Sequence, residues 1–107
     1  MEILCDYMRR QFERRMTDHL RARFPSESMA FDEHSLQDLV VSGIRLAQGY
    51  GIDIEEDIRR YLEYMMVLSR DFDTSPRTAW AGDILRSSID SARKMAEIDK
   101  VYVFTRR

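Results

Sequence analysis

The sequence predicts an all-α protein, folded as a compact bundle of four to five helices. Apolar residues recur every three or four positions along most of the 107 residues, which is the period of an amphipathic helix. Both prolines and two of the four glycines fall between the periodic segments, where they would end one helix or start the next. At this length one domain spanning residues 1–107 is expected, with the conformation of about 101–107 left open.

The first helix is predicted to run to Phe24, because apolar residues repeat at intervals of four. These residues are Leu4, Met8, Phe12, Met16, Leu20 and Phe24. Such spacing places them along one side of a helix, as a ridge. Pro25 ends the helix, since proline disfavours the helical conformation of the residue before it. The length of the ridge leaves open whether it extends beyond the rest of the bundle.

A polar connection over residues 25–34 precedes the second helix. Ser35, followed by Asp38 three residues later, has the spacing of a capping box, so Ser35 is predicted to be the N-cap. The apolar stripe of this helix consists of Leu36, Leu39, Val40, Ile44 and Ala47. Gly49 and Gly51 are predicted to end it, because glycine readily adopts the left-handed conformation that follows many helices.

The third helix is predicted to begin at Asp53, as its N-cap with Glu56 at N3, and to be central in the bundle. Acidic residues fill its first turn, where the helix dipole favours negative charge; they are Asp53, Glu55, Glu56 and Asp57. Its apolar residues lie on nearly every face: Ile58, Tyr61, Leu62, Tyr64, Met65, Met66, Val67 and Leu68. A helix that is apolar nearly all round is either enclosed by its own domain or covered by another molecule.

The last third of the chain predicts a short fourth helix and a fifth. Ser75 serves as N-cap of the fourth and Pro76 takes its first helical position, where the missing N–H costs nothing. The fifth spans about 89–100. Residues 101–104 favour a strand by composition, but a single terminal strand would lack a partner. They are therefore interpreted as a helix end or a docked tail.

The charge is nearly balanced but unevenly distributed. The net charge of −2 combines an excess of arginine in residues 1–25, an excess of acids in residues 26–75 and a basic end. An isoelectric point near 5.7 argues against a nucleic-acid partner. The longest apolar run has five residues, which is too short to cross a membrane. The absence of a signal-like start and a single cysteine favour a cytoplasmic protein.

Residues that could perform chemistry do not fall into a recognisable pattern. His19, His34 and Cys5 are scattered and do not supply the four ligands of a zinc site. Dispersed glycines provide no phosphate-binding loop. Asp71 and Asp73 could form an acid–base pair, but hydrogen bonding to the backbone of their own turn is favoured. The sequence therefore predicts a non-enzymatic protein without metal or cofactor.

Apolar residues in excess of what a small bundle can enclose suggest a surface that binds another protein. The chain has seven methionines, which fill irregular cores but also serve adaptable interfaces. Complete internal burial is the alternative, and the sequence leaves both open. The predicted partner-binding residues are Phe12, Met16, Tyr64 and Met66, ringed by the charged Arg10 and Arg14. Apolar burial would drive such an association, and charge would set its rate and specificity.

Three segments add a resemblance to a known group. They are R-M-T-D-H-L at residues 15–20, Y-G-I at 50–52 and, most specific, D-F-D-T-S-P-R-T-A-W-A at 71–81. With them, residues 12–90 resemble small helical bacterial proteins encoded beside type VI secretion spike, effector and adaptor genes. The resemblance implies an accessory role, as a co-chaperone or adaptor for an effector or its chaperone.

The resemblance also implies structural roles within the segment 71–81. Phe72 and Trp80 would anchor the fourth helix and Pro76 would start it, while Asp73 belongs to the preceding turn. No catalytic residues come with it. An alternative function is an immunity protein that inhibits a toxin through its acidic middle segment. Self-association is left open.

Overall fold

The structure, a computed structural model, describes residues 6–105 and the side chains of residues 7–103. Over this range the chain forms six α-helices and no strand, which confirms the predicted all-α class. The helices are α1 (Asp6–Arg23), α2 (Pro25–Ser28), α3 (Glu33–Gly49), α4 (Glu55–Val67), α5 (Ala79–Arg86) and α6 (Ser91–Thr105). A 3₁₀ turn, Pro76–Thr78, leads into α5. None of the described helices is long and apolar enough to cross a bilayer.

The additional helix is α2, a single turn inside the segment predicted to be a polar connection. Pro25 occupies its first position, and the preceding Phe24 turns its ring into the core, where it is 9% exposed. Because of α2, the helix predicted to be third is fourth in the chain. This α4 packs against α1, α2, α3 and α6.

Two predicted N-caps are wrong. The N-cap of α3 is Asp32, whose carboxylate accepts a hydrogen bond from the backbone N–H of Ser35 at 2.8 Å. Ser35 is thus the donor in the first turn, three residues after the cap, and this hydrogen bond lowers the pKa of Asp32. The N-cap of α4 is Ile54 rather than Asp53, and its side chain makes no capping hydrogen bond.

The predicted end of α3 is confirmed. Gly49 is its last residue, Tyr50 is the C-cap, and Gly51 has φ +82°, which is the left-handed conformation. The buried Lys94 of α6 contacts this end of α3, where its Nζ donates a hydrogen bond to the backbone carbonyl of Tyr50 at 2.6 Å. A lysine at a helix carboxyl end is favoured by the helix dipole, so this contact fastens α6 to the end of α3.

Helices α3 and α4 approach each other closely at Gly43. Gly43 lies against the side chains of Leu62 and Met65, and a Cβ atom at this position would lie 2.4 Å from Leu62 Cδ2 and 2.7 Å from Met65 Sδ. The lack of a side chain at residue 43 therefore lets the two helices approach. The fully buried side chains of the core include Leu36, Leu39, Val40, Tyr61, Leu62, Phe72, Met95 and Ile98.

Helices α1, α4 and α6 run in the same direction. Arg15 of α1 pairs with Glu55 at the start of α4, and His19, one turn further along α1, pairs with Glu63, two turns further along α4. On the other side of α4, Ser91 Oγ donates to Asp57 at 3.2 Å. One turn later Arg60 donates to the carbonyl of Met95. Helix α6 continues through residues 101–105, so the helix-end interpretation is confirmed there; residues 106–107 lie outside the described range.

Candidate functional site

Four residues predicted to form an exposed partner surface are buried instead. Phe12 is 1% exposed, Met16 7%, Tyr64 8% and Met66 9%, so the predicted exposure is wrong for all four. Phe12 and Met16 face the first turns of α4, beside Glu55. Tyr64 is covered by α6. The exposure of Tyr64 is wrongly predicted because the sequence does not place α6 against α4, and that of Phe12 and Met16 because it does not place α1 against α4.

The two arginines predicted to ring that surface are exposed. Arg10 and Arg14 lie along a shallow groove of about 240 Å³ between α1 and α3, with Asp38 and Val41 on its other side. The first turn of α1 does extend beyond the core, since Tyr7 is 66% exposed and Met8 50%. The other ridge residue of this end, Leu4, lies outside the described residues.

The residues given structural roles by the resemblance surround the start of α5. Phe72 is fully buried, with its ring 5.0 Å from that of Tyr61. Asp73 is 5% exposed and accepts a hydrogen bond from the hydroxyl of Tyr50 at 2.7 Å. Pro76 begins the 3₁₀ turn, and Trp80 is half-buried against the core.

Tyr61 carries the one described buried side-chain oxygen or nitrogen without a hydrogen-bond partner. Its hydroxyl is enclosed with the ring, which is 0% exposed. Burial raises the pKa of this hydroxyl, and the nearby negative charge of Asp73 raises it further. Because the neutral hydroxyl is held without a base in contact, the group has the character of a packing side chain.

A cleft of about 590 Å³ opens where the ends of α1 and α2 approach α4 and α6. It is called the α4–α6 cleft below. Its lining is contributed by the α1–α2 junction (Arg23, Phe24, Glu27), by α4 (Arg60, Glu63, Tyr64, Val67) and by α6 (Asp99, Tyr102, Val103). Of the predicted site residues, only Tyr64 lines it.

The lining follows the helical period on two neighbouring helices. The α4 residues are at positions i, i+3, i+4 and i+7, and the α6 residues are at i, i+3 and i+4. This spacing selects a single face of each helix. Aromatic side chains form the deep part, with Tyr64 and Tyr102 packed edge to face at 5.3 Å, while Val103 is 55% exposed at the rim.

Most of the charged groups in the cleft are already paired. Asp99 accepts a hydrogen bond from the Tyr64 hydroxyl and forms an ion pair with Arg60. Burial raises the pKa of Tyr64, although the charge of Arg60 opposes that shift. The Glu63 carboxylate is in hydrogen-bond contact with His19 Nε2 at 2.6 Å and accepts a hydrogen bond from Arg59 Nη1 at 2.9 Å. These pairs fix the side chains that shape the cleft.

Two charged groups at the mouth of the cleft have no partner of opposite charge among the described residues. Glu27 forms no side-chain hydrogen bond or ion pair in this part of the structure. Arg23 forms none either, but its guanidinium lies over the ring of Phe24, 5.2 Å from the centroid. No three described histidine, cysteine or acidic side chains come together as a metal site. Cys5 lies outside the described residues.

No family model, curated protein or solved structure matches this chain. The function must therefore be inferred from the geometry of the chain itself.

Proposed function

We propose that this chain is a non-enzymatic accessory protein that binds another protein through the α4–α6 cleft. The class is that of a co-chaperone or adaptor for a type VI secretion effector or its chaperone. The observation that carries the proposal is the cleft itself, whose volume of about 590 Å³ is sufficient for anchor side chains of a partner. The resemblance of residues 12–90 to small secretion-associated proteins supports the accessory class.

The chemistry of the lining favours a binding surface over a reaction centre. Tyrosine and arginine are enriched at protein interfaces, and the cleft combines Tyr64 and Tyr102 with Arg23 and Arg60. The carboxylates of Glu63 and Asp99 are each held by a cation, so neither is a free general base. Val103 adds an exposed aliphatic contact at the rim.

A pair of matched variants tests this proposal. Val103 and Ile54 are each 55% exposed, but only Val103 lines the cleft. Affinity purification from the native host, followed by mass spectrometry, should recover the same partner with the wild type and with Ile54→Asp. Val103→Asp should lower that recovery about tenfold or more, because it places a charge in an apolar contact. Circular dichroism should show both variants folded.

Equal recovery of the partner by Val103→Asp and Ile54→Asp would exclude the cleft as the binding surface. The earlier candidates Tyr64 and Met66 are unsuitable for this test. Both are buried, so an aspartate at either position would unfold the domain rather than remove a contact.

A further inference from the structure

Two neighbouring helices, α4 and α6, line the α4–α6 cleft with one face each and so form a groove. Its floor on α4, from Arg60 to Val67, spans about 10 Å at about 1.5 Å per residue. Helix α6 runs alongside in the same direction and adds the stripe of Asp99, Tyr102 and Val103. A groove formed by two helices accepts a third, which contacts it with apolar residues at positions i, i+3, i+4 and i+7.

The charges around the groove indicate whether its occupant is positively or negatively charged. The cleft lies at the carboxyl ends of α1 and α4, where each helix dipole places partial negative charge. Glu63 and Asp99 are already paired with Arg59 and Arg60, so the lining charges without an ion pair are Glu27 and Arg23. The two helix ends therefore favour a cation beside Glu27.

The charges of Arg23 and Glu27, the two groups at the mouth without an ion pair, are stabilised to different extents by their surroundings. Arg23 is the last residue of α1, so its charge is stabilised by the end of its own helix and by the Phe24 ring. Glu27 has no cation near enough for an ion pair among the described residues. An incoming lysine or arginine would supply the missing partner.

We infer that the occupant of the α4–α6 cleft is a basic amphipathic helix of the partner protein, lying antiparallel to α4 and α6. Its apolar residues contact Tyr64, Tyr102 and Val103, and a lysine or arginine beside them pairs with Glu27. The antiparallel direction brings the positive amino end of this helix to the carboxyl ends of α1 and α4. This inference rests on the proposed function and specifies the partner's chemistry.

Two synthetic peptides of equal length test the inference with the full chain. One is a helical peptide of leucine, alanine and lysine with leucine at i, i+3, i+4 and i+7; in the other, glutamate replaces every lysine. Titration of the ¹⁵N-labelled protein with the lysine peptide should shift the amide signals of residues 60–67 and 99–103. The lysine peptide should bind about tenfold or more tightly than the glutamate peptide, as expected for complementary charge.

Two variants assign that binding to the groove. Val103→Asp should abolish the shifts caused by the lysine peptide, whereas Ile54→Asp should leave them unchanged. Glu27→Gln should reduce the preference for lysine over glutamate by about threefold to tenfold, because it removes the unpaired carboxylate. Glu33→Gln, on the exposed first turn of α3, is the control and should leave the preference unchanged.

Equal or tighter binding of the glutamate peptide, shifts confined to other residues, or binding of neither peptide would overturn the inference. These outcomes are separate from failure of the proposed function. If the host partner is still lost with Val103→Asp, the cleft binds a protein of different chemistry. If the lysine peptide binds in the groove but recovery of the host partner does not depend on Val103, the proposed function is wrong.

Discussion

Helix α4 is joined to its neighbours on two sides by different chemistry. Toward α3 the contact is apolar and depends on shape, since Gly43 leaves room for Leu62 and Met65. Toward α6 the edge-to-face packing of Tyr64 and Tyr102 is accompanied by the polar pairs Asp57–Ser91, Arg60–Asp99 and Tyr64–Asp99. No residue of α3 lines the α4–α6 cleft, whereas the polar side, toward α6, leaves the cleft open at its end. The cleft therefore opens on the side of α4 that is joined by polar pairs.

The largest expected loss of stability comes from a substitution at the apolar contact between α3 and α4. Gly43→Val would place a branched side chain where even a Cβ atom lies 2.4 Å from Leu62 Cδ2. We expect a loss of about 3 kcal/mol in the free energy of unfolding, because overpacking forces the two helices apart. Urea unfolding followed by circular dichroism measures it.

Gly49→Val is the matched control, because no atom lies within 4 Å of a Cβ at the last residue of α3. Its stability should stay within about 0.5 kcal/mol of wild type. Equal losses for the two variants would show that backbone conformation matters at residue 43 rather than close approach.

A smaller loss of stability is expected at the polar pairs between α4 and α6. Asp99→Ala removes the acceptor of the Tyr64 hydroxyl and the ion-pair partner of Arg60. Leaving a largely buried donor unsatisfied should cost about 2 kcal/mol. Hydrogen exchange should show the lost protection mainly in α6, since α3 makes its contacts with α4 on another face.

The control for this variant is Glu97→Ala, which removes an exposed ion pair with Lys100, one turn along the same helix. Such a pair contributes little, so a loss below about 0.5 kcal/mol is expected. If Asp99→Ala loosens α3 and α6 equally, the two sides of α4 are not independent.

The smallest expected change in stability comes from removing a tyrosine hydroxyl in the core, and two tyrosines allow a comparison. Tyr61→Phe removes a buried hydroxyl that has no partner, so it should raise the stability by about 1 kcal/mol. Tyr50→Phe removes a hydroxyl that donates to Asp73 and should lower the stability by about the same amount. Denaturant midpoints of the two variants that shift in the same direction would contradict this assignment.

Local signals in the sequence predicted most of the fold. Pro25, Gly51 and Ser75 each act on the few residues around them, so the breaks they predict are found in the structure. The capping errors are also local: Ser35 and Asp53 have the right composition for an N-cap. The identity of a cap depends on where the backbone leaves the helical conformation, and the chain on either side decides that.

The site could not be predicted in the same way. Tyr64 is buried by α6, and Asp99, its hydrogen-bond partner on that helix, lies 35 residues further along the chain. The spacing of residues within α4 cannot reveal this contact. Tyr64 and Val67 are recognisable in the sequence as apolar residues of one helix, but residues 101–104 favour a strand by composition, so Tyr102 and Val103 are not recognisable as a helix face. Their arrangement as two sides of one groove follows from the parallel direction of α4 and α6, which periodicity does not encode.

The left-handed Gly51 has an effect far along the chain. The plane of the peptide between residues 50 and 51 is set by ψ of Tyr50 and φ of Gly51, and it aims the Tyr50 carbonyl at Lys94. That carbonyl compensates the lysine ammonium for the water that it loses on burial. The stability of the last helix is therefore coupled to the conformation of the turn that joins α3 to α4.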